Sequence, residues 1–399
     1  MTNVAAIIGR ANTLFRDDVG DHAGEIDSAV RGARVLVFGG AGSIGKEVVR
    51  QFFLRNPAAL HVVDISENNL VELVRDLRSS SGYMEGDTQF LPLDMGGAEI
   101  AAFVASQPGY DYILNLAAMK HVRSEKDEFS LMRMVRTNIL ETLDTMRFAK
   151  SRVTKKFFAV STDKAKNPAN LMGATKRIME DVLFSSAGDR PVISTARFAN
   201  VAFSDGSLLH GFRQRLLLRQ PISAPRDVKR YFVTGEESGL LCLLSTTLGQ
   251  ERDIFFPNLD AGLDLLTFSE IARRFLETSG FEPVETQSEE EARAKAAELF
   301  PQRKWPCYFF DSDTSGEKPF EEFYAEDDKV DWKRFRNVGV IETPALTASE
   351  LERVDRFLGS IGAMRAAGQW SKPQLVEAIA AACPGLHHVE TGRFLDSKM

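Results

Sequence analysis

Short apolar runs closed by small or acidic residues alternate with stretches of helical periodicity through the first half of the chain. RVLVFGG predicts a buried strand, and a helix follows from Ser43 to about Leu54. HVVDI predicts a second strand, and Asn68 to Leu77 a second helix. FLPLD, YILNLAA, KKFFAVST and RPVISTARFANV predict strands three to six, with helical stretches between them. Strands that alternate with helices in this way argue for an α/β fold, a doubly wound parallel sheet.

Ahead of the first strand, Val4, Ile7, Ile8, Leu14 and Phe15 recur at roughly helical spacing, which predicts one or two helices. After residue 206 the rhythm changes. SLLHGFRQRLLLRQP predicts a helix that ends at Pro221, YFVT and DIFFPN short strands, and TFSEIARRFLETSG a helix stopped by Gly280. SEEEARAKAAELF reads as a helix with a solvated charged face. TPALTASELERVDRFLGSIG and SKPQLVEAIAAACPG each place Thr or Ser ahead of a first helical turn. The expected organisation is a helical extension over 1–33, a nucleotide-binding domain over 34–206 and a smaller mixed α/β substrate lobe over 207–345. Some lobe elements are free to return to the first domain, and a helical segment covers 346–399.

Composition narrows the partners. A net charge of −7 and a pI near 5.6 argue against a phosphate-tracking surface, so nucleic acid is not expected. Cys242, Cys307 and Cys383 are far apart and suit a reducing compartment. The six histidines make no ligand pattern, and no metal is expected. No apolar run approaches the roughly 18 residues of a membrane span; Leu240 to Leu248 is the nearest and is too short. The first residues reach Arg10 and Arg16 before any long apolar core, unlike a signal peptide. A soluble, cytoplasmic protein without a membrane partner is the expectation.

FGGAGSIG places Gly39, Gly42 and Gly45 between a strand and a helix, with Ser43 and Ile44 in the same turn. Such a turn lets backbone approach a pyrophosphate, and the helix N-terminus offers free N–H groups and partial positive charge. Asp64 ends the next strand, 19 positions after Gly45, where a carboxylate would accept from a ribose diol and repel a 2′-phosphate. NAD is therefore the expected cofactor. Asp94, followed by Met95, ends the third strand within reach of an adenine.

AVSTDKAKNPANLMGATKR holds the reactive cluster. Thr162, Asp163 and Lys164 close the fifth strand, and ligands of open α/β sheets sit at that edge. Lys176 follows on the next helix. An adjacent acid and base suit an elimination better than a simple oxidation; the competing reading is a salt-bridged surface turn. Lys120 and His121 follow the fourth strand, Asn200, Ser204 and Ser207 the sixth. Arg230 is the candidate clamp for a diphosphate.

The glycine spacing, the NLAA strand end with Ala117, Asn138 in RTNILET and the helical lysine together resemble the extended short-chain dehydrogenase/reductases over residues 34 to 240. That resemblance implies a Rossmann domain, a smaller lobe over a nucleotide-sugar, Lys176 at the nicotinamide ribose, and at least a homodimer. STDKA, MGATKR, LAAMKHV and RFANVAFSDGSLL are similar to the nucleotide-sugar 4,6-dehydratases of bacterial polysaccharide synthesis. Met172 stands where the superfamily usually has tyrosine, and it resembles a methionine-type branch. IIGRANTLFRDDV, KWPCYFFDSDTSGEKPFEEFY and ETGRFLDSKM resemble the soluble UDP-N-acetylglucosamine enzymes of legionaminic acid pathways. The resemblance implies oxidation at C4, removal of the C5 proton by Lys164, donation to the departing 6-hydroxyl by Asp163, and reduction at C6. It further implies Thr162 at the 4-hydroxyl and retention at C5. Asp163, directly or through water, is the hypothesised acceptor of the 4-hydroxyl proton, with Lys176 supplying charge. UDP and GDP sugars both remain open. A 4-epimerase or oxidoreductase, and a non-catalytic NAD-binding scaffold, are the rival readings. The role of residues 305–324 is not specified by the sequence.

Overall fold

Val35, Leu36, Val37 and Phe38 are fully buried in the strand that centres the molecule. The computed structural model describes residues 4–151, 154–188, 190–258, 264–312 and 321–387. Three short helices come first: α1 (Val4–Ile7), α2 (Arg16–Asp21) and α3 (Ala23–Val30). Strands β1 (Arg34–Phe38), β2 (Ala59–Asp64) and β3 (Asp87–Pro92) then alternate with α4 (Ser43–Phe53) and α5 (Glu67–Ser81). Helix α6 (Ala98–Ser106) leads to β4 (Tyr112–Asn115), and α7 (Glu128–Val135) and α8 (Glu141–Ser151) lead to β5 (Lys156–Val160). Helix α9 (Leu171–Ser185) precedes β6 (Val192–Ala196). These six strands are parallel and lie in the order β3-β2-β1-β4-β5-β6. The order reverses between β1 and β4, which opens a crevice at the carboxyl edge. Phe38 is in register with Val63 and with Asn115, so the turns after β1, β2 and β4 emerge side by side.

The expected sixth strand divides in two. Arg197 to Ala199 break it, and β7 (Asn200–Val201) starts the second half of the chain. There follow α10 (Leu208–Leu217), β8 (Ile222–Pro225), β9 (Lys229–Arg230), β10 (Phe232–Val233), α11 (Gly235–Leu248) and β11 (Asp253–Pro257). Helix α10 stops four residues short of Pro221. Next come β12 (Leu266–Thr267), α12 (Phe268–Thr278), β13 (Glu282–Thr286), α13 (Glu289–Leu299) and β14 (Lys304–Phe310). The chain returns through β15 (Val330–Asp331), β16 (Val338–Glu342), α14 (Ala348–Ala367) and α15 (Lys372–Ala382).

The segment 207–345 is shared between two bodies. Strand β11 pairs parallel with β6, and β16 and β15 extend the sheet antiparallel to nine strands. Helix α11 packs on α4 so closely that a Cβ on Gly239 would meet the Glu47 carbonyl at 2.8 Å. Helices α14 and α15 cover α9. The remaining elements form the lobe, with a parallel three-stranded sheet in the order β13-β14-β8. Its separate core includes Phe212, Ile222, Ile271, Phe275, Trp305 and Phe309, and it takes in Ile7 and Ile8 from the N-terminal segment. Among the described residues no helix is long and apolar enough to cross a membrane.

Candidate active site

The glycine turn is fixed by contacts that exclude side chains. Gly39 has φ +69°, and a Cβ there would meet the Ala117 amide nitrogen at 2.5 Å. A Cβ on Gly45 would meet the Gly39 carbonyl at 2.1 Å. Gly42 is the N-cap of α4 and contributes no side-chain cap, so the helix N-terminus faces the crevice with free N–H groups. Asp64 accepts from the Ala41 amide at 3.0 Å and from the Ser66 amide at 2.9 Å, and keeps lone pairs for a diol. A cleft of about 250 Å³ runs between these groups, lined by Gly39, Gly42, Asp64, Asp94, Met95 and Ala117 among others. Asp94 holds the Gly96 amide at 3.0 Å and the Arg136 guanidinium at 3.4 Å. A turn that bars side chains, an uncapped helix end and a carboxylate opposite it fit a dinucleotide.

Asn138 lies beneath this cleft, fully buried in a π-helical turn over 136–140. Its carbonyl accepts from the Met119 amide at 2.8 Å, and its amide donates to the Met119 carbonyl and the Thr175 hydroxyl, each at 3.0 Å. Its polar groups are engaged within the protein, where they fix the strand-four loop against α9. Ser43 donates to Asp205 at 2.8 Å and accepts from the Asp205 amide at 2.7 Å. Ser204 lies 3.4 Å from the Lys120 ammonium, and His121 packs on Gly206. The loops after β4 and β7 therefore meet at the start of α4. Burial pushes Lys120 below its ordinary value, partly offset by Asp205. Ser207 caps α10 through the His210 amide.

The turn after β5 gathers Thr162, Asp163 and Lys164. Thr162 donates to Asp163 at 2.8 Å, and the Lys164 ammonium lies 3.3 and 3.4 Å from the two Asp163 oxygens. The Asp163 side chain is 7% exposed and that of Lys164 34%, so the pair is half-sunk at the sheet edge. Helix α9 is jammed against this turn: a Cβ on Gly173 would meet the Lys164 carbonyl at 2.3 Å. Asn170 caps α9 through the Gly173 amide at 2.8 Å. The Met172 side chain is buried and its amide donates to Glu125 at 2.7 Å. Lys176, one turn on, donates to the Val160 carbonyl at 2.9 Å. Burial pushes its ammonium down to about 8, against the pull of Glu180.

Glu180 anchors the floor of the site. It accepts from Arg197 at 3.0 and 2.7 Å and from Ser161 at 2.6 Å, with both charged partners at 2% exposure or less. Burial pushes the Glu180 carboxyl up, but Arg197, Arg177 and Ser161 together outweigh it and hold the group below the ordinary range. The same guanidinium donates to the Phe323 carbonyl at 2.6 Å and pins the chain after residue 320 against the sheet.

That segment carries the residue sequence reasoning missed. Glu321 is 4% exposed, accepts from Asn200 at 2.5 Å and from the Tyr231 amide at 3.2 Å, and lies 3.6 Å from Arg230. Burial and the Asp163 carboxylate push it up to about 7. Arg230 is itself buried and donates to the Lys229 carbonyl at 2.7 Å. Asn200 and Arg230 thus meet each other through Glu321, beside the Asp163–Lys164 pair. Residues 313–320, within the SDTSGEKPFEEFY stretch, and the ETGRFLDSKM tail lie outside the described residues.

The profile of a family described as polysaccharide biosynthesis protein matches residues 35–343. An uncharacterized membrane protein of Methanocaldococcus jannaschii is 32% identical over 237 residues, 58% of this chain and 68% of its own. The capsular polysaccharide biosynthesis protein CapD of Staphylococcus aureus is 30% identical over 272 residues, 67% of this chain but only 44% of that relative's length. A UDP-N-acetylglucosamine 4,6-dehydratase (inverting) of Campylobacter jejuni is 28% identical over 236 residues, 57% of this chain and 67% of its own. Two solved structures share the fold. Pen from Bacillus thuringiensis has a TM-score of 0.63 at 22% identity, covering 79% of this chain and 89% of its own. DesIV, a dTDP-glucose 4,6-dehydratase from Streptomyces venezuelae, has a TM-score of 0.54 at 18% identity, covering 86% and 99%.

Proposed function

Because the chain belongs to the polysaccharide biosynthesis protein family, we propose that it is an NAD-dependent nucleotide-sugar 4,6-dehydratase acting on UDP-N-acetylglucosamine or its GDP counterpart. The observation that carries this reading is the Asp163–Lys164 pair, half-sunk at the end of β5, two strands across the sheet from β1 and its glycine turn. The dehydratase names of the Campylobacter relatives support it.

NAD, when bound, supplies oxidation at C4 and the matching reduction at C6. Gly39, Gly42, Gly45 and Asp64 hold it, with Ser43, Ile44, Asp94, Met95 and Ala117 along the same cleft. Thr162 orients the 4-hydroxyl. Asp163 takes the 4-hydroxyl proton and later donates to the departing 6-hydroxyl. Lys164 removes the C5 proton, acidified by the neighbouring ketone, and, after its ammonium exchanges with solvent, delivers a proton to the same face. Lys176 contributes positive charge below the site. Lys120, Ser204 and Asn200 border the space left for the sugar nucleotide, and Arg230 reaches it from the lobe. Met172, without a hydroxyl, takes no part in proton transfer, and retention at C5 is assigned on that branch-marking methionine. The Campylobacter relatives carry the opposite stereochemical label in their names.

Relatives named UDP-glucose 4-epimerase match at 25% identity over 236 residues, so epimerisation is the second reading. Incubation with UDP- and GDP-N-acetylglucosamine in D2O, read by mass and NMR, separates the two. Loss of one water with deuterium at C5 supports dehydration; a product of unchanged mass refutes it.

A further inference from the structure

One short stretch, 136–141, holds loops on both sides of the cofactor cleft. Asn138 holds the loop after β4 through Met119, at 2.8 and 3.0 Å. Arg136 and Glu141 hold the loop after β3. We propose that the Arg136–Glu141 pair is the positioning device of the adenine end of the cleft: it orients the Asp94 carboxylate toward a ring amine, so that the site selects adenine over a base presenting a carbonyl at that place. This rests on the NAD reading of the cleft.

The contacts form a chain. Glu141 opens α8 and lines the cleft together with Asp94. Its side chain is 6% exposed and pairs with Arg136 Nε at 2.6 Å. A buried carboxylate needs its partner, so the pair fixes the guanidinium in turn. Arg136 Nη2 lies 3.4 Å from Asp94 Oδ2, and Asp94 Oδ1 accepts from the Gly96 amide at 3.0 Å. Gly96 itself rests on the pair: a Cβ there would meet Glu141 Oε1 at 2.6 Å and Arg136 Nη2 at 2.8 Å. Asp94 is thus held at both oxygens, yet its side chain stays 40% exposed along the cleft with lone pairs to spare.

The consequence is recognition. An ionised carboxylate accepts hydrogen bonds and cannot donate one. Adenine presents an amine at C6 and hypoxanthine a carbonyl, and an oxygen set against an oxygen leaves both unpaired. A carboxylate free to swing escapes that penalty by turning to water. One held at both oxygens does not.

Calorimetric titration of the whole protein with NAD and with nicotinamide hypoxanthine dinucleotide tests this without turnover. Wild type should bind NAD tighter by at least about tenfold. Arg136→Met should bring the two affinities within about threefold of each other, chiefly by weakening NAD. Because that variant leaves Glu141 buried without its partner, Arg136→Met/Glu141→Leu, which removes both charges, serves as the second variant and should show the same narrowed ratio. Parallel weakening of both dinucleotides at an unchanged ratio would mark a merely structural pair and overturn the proposal. So would wild type that binds the two equally, or that prefers the carbonyl analogue through Arg133, which lines the same cleft. Wild type that binds neither dinucleotide would instead refute the NAD reading itself.

Discussion

The Lys164 ammonium lies 3.3 Å from the carboxylate of its own neighbour, Asp163, and both stand on the turn that ends β5. Adjacent residues in an extended strand point to opposite faces. The short 3-10 turn at Asp163–Ala165, capped by Thr162, brings the two side chains to one side. In the proposed reaction this lets acid and base act on one sugar ring. Asp163→Asn and Lys164→Gln should each lower kcat by about 10²–10⁴ while leaving NAD affinity close to wild type, as measured by steady-state turnover and by cofactor titration.

The Met172 amide is held by Glu125, and its side chain is buried. Met172→Leu should therefore keep water-eliminating activity within about tenfold, with less than about 1.5 kcal/mol lost in stability, as expected for a volume-conserving swap. Product formation followed by mass and unfolding followed in urea check both. Loss of C4 oxidation with NAD still bound would refute a passive role for this side chain.

Lys176 sets a pH signature. Its folded value near 8 lies below the unfolded value of about 10.4. Between those limits the unfolded chain binds more protons than the folded one, so stability rises with pH on this group's account. Below about 8 the burial cost is fully present. Lys176→Met should remove the effect, so the variant's stability advantage over wild type should shrink by up to about 3 kcal/mol as pH rises from about 8 to 10. Parallel urea titrations across that range measure it. A difference independent of pH would contradict the assignment.

The glycine turn has no tolerance at Gly45, where a Cβ would overlap the Gly39 carbonyl at 2.1 Å. Gly45→Ala should abolish NAD binding measured by calorimetry and lower the melting temperature. Asp64→Asn keeps the shape but loses the charge, and should weaken NAD by about 10-fold or more, consistent with loss of charge-assisted hydrogen bonds.

Arg197→Met leaves Glu180 buried without its partner and frees Phe323. A loss of about 3–5 kcal/mol is expected from breaking a buried pair, read by chemical denaturation. The double variant Arg197→Met/Glu180→Leu should recover part of it.

Much of this site is written locally. The turn FGGAGSIG, Asp64 and the STDK run each carry their meaning within a few residues, and the sheet edge then brings them together through strand register. Helix α11 was not legible by periodicity because Glu237 to Thr247 are all buried, polar residues included, so no solvent face marks one side of it. Strand β14 was hidden by Pro306, which sits inside the central strand of the lobe sheet. Glu321 reaches Asn200 across 121 positions of sequence, and nothing in its immediate neighbourhood announces that contact. The engagement of Asn138 with Met119 and Thr175 is likewise a tertiary fact that spacing does not contain.

The most direct measurement is the mass of the nucleotide-sugar product formed from UDP-N-acetylglucosamine by purified protein with NAD, set beside the Asp163→Asn and Lys164→Gln variants. The account requires a product lighter by one water from wild type and none from either variant. A product of unchanged mass from wild type, or undiminished water loss by both variants, would contradict it.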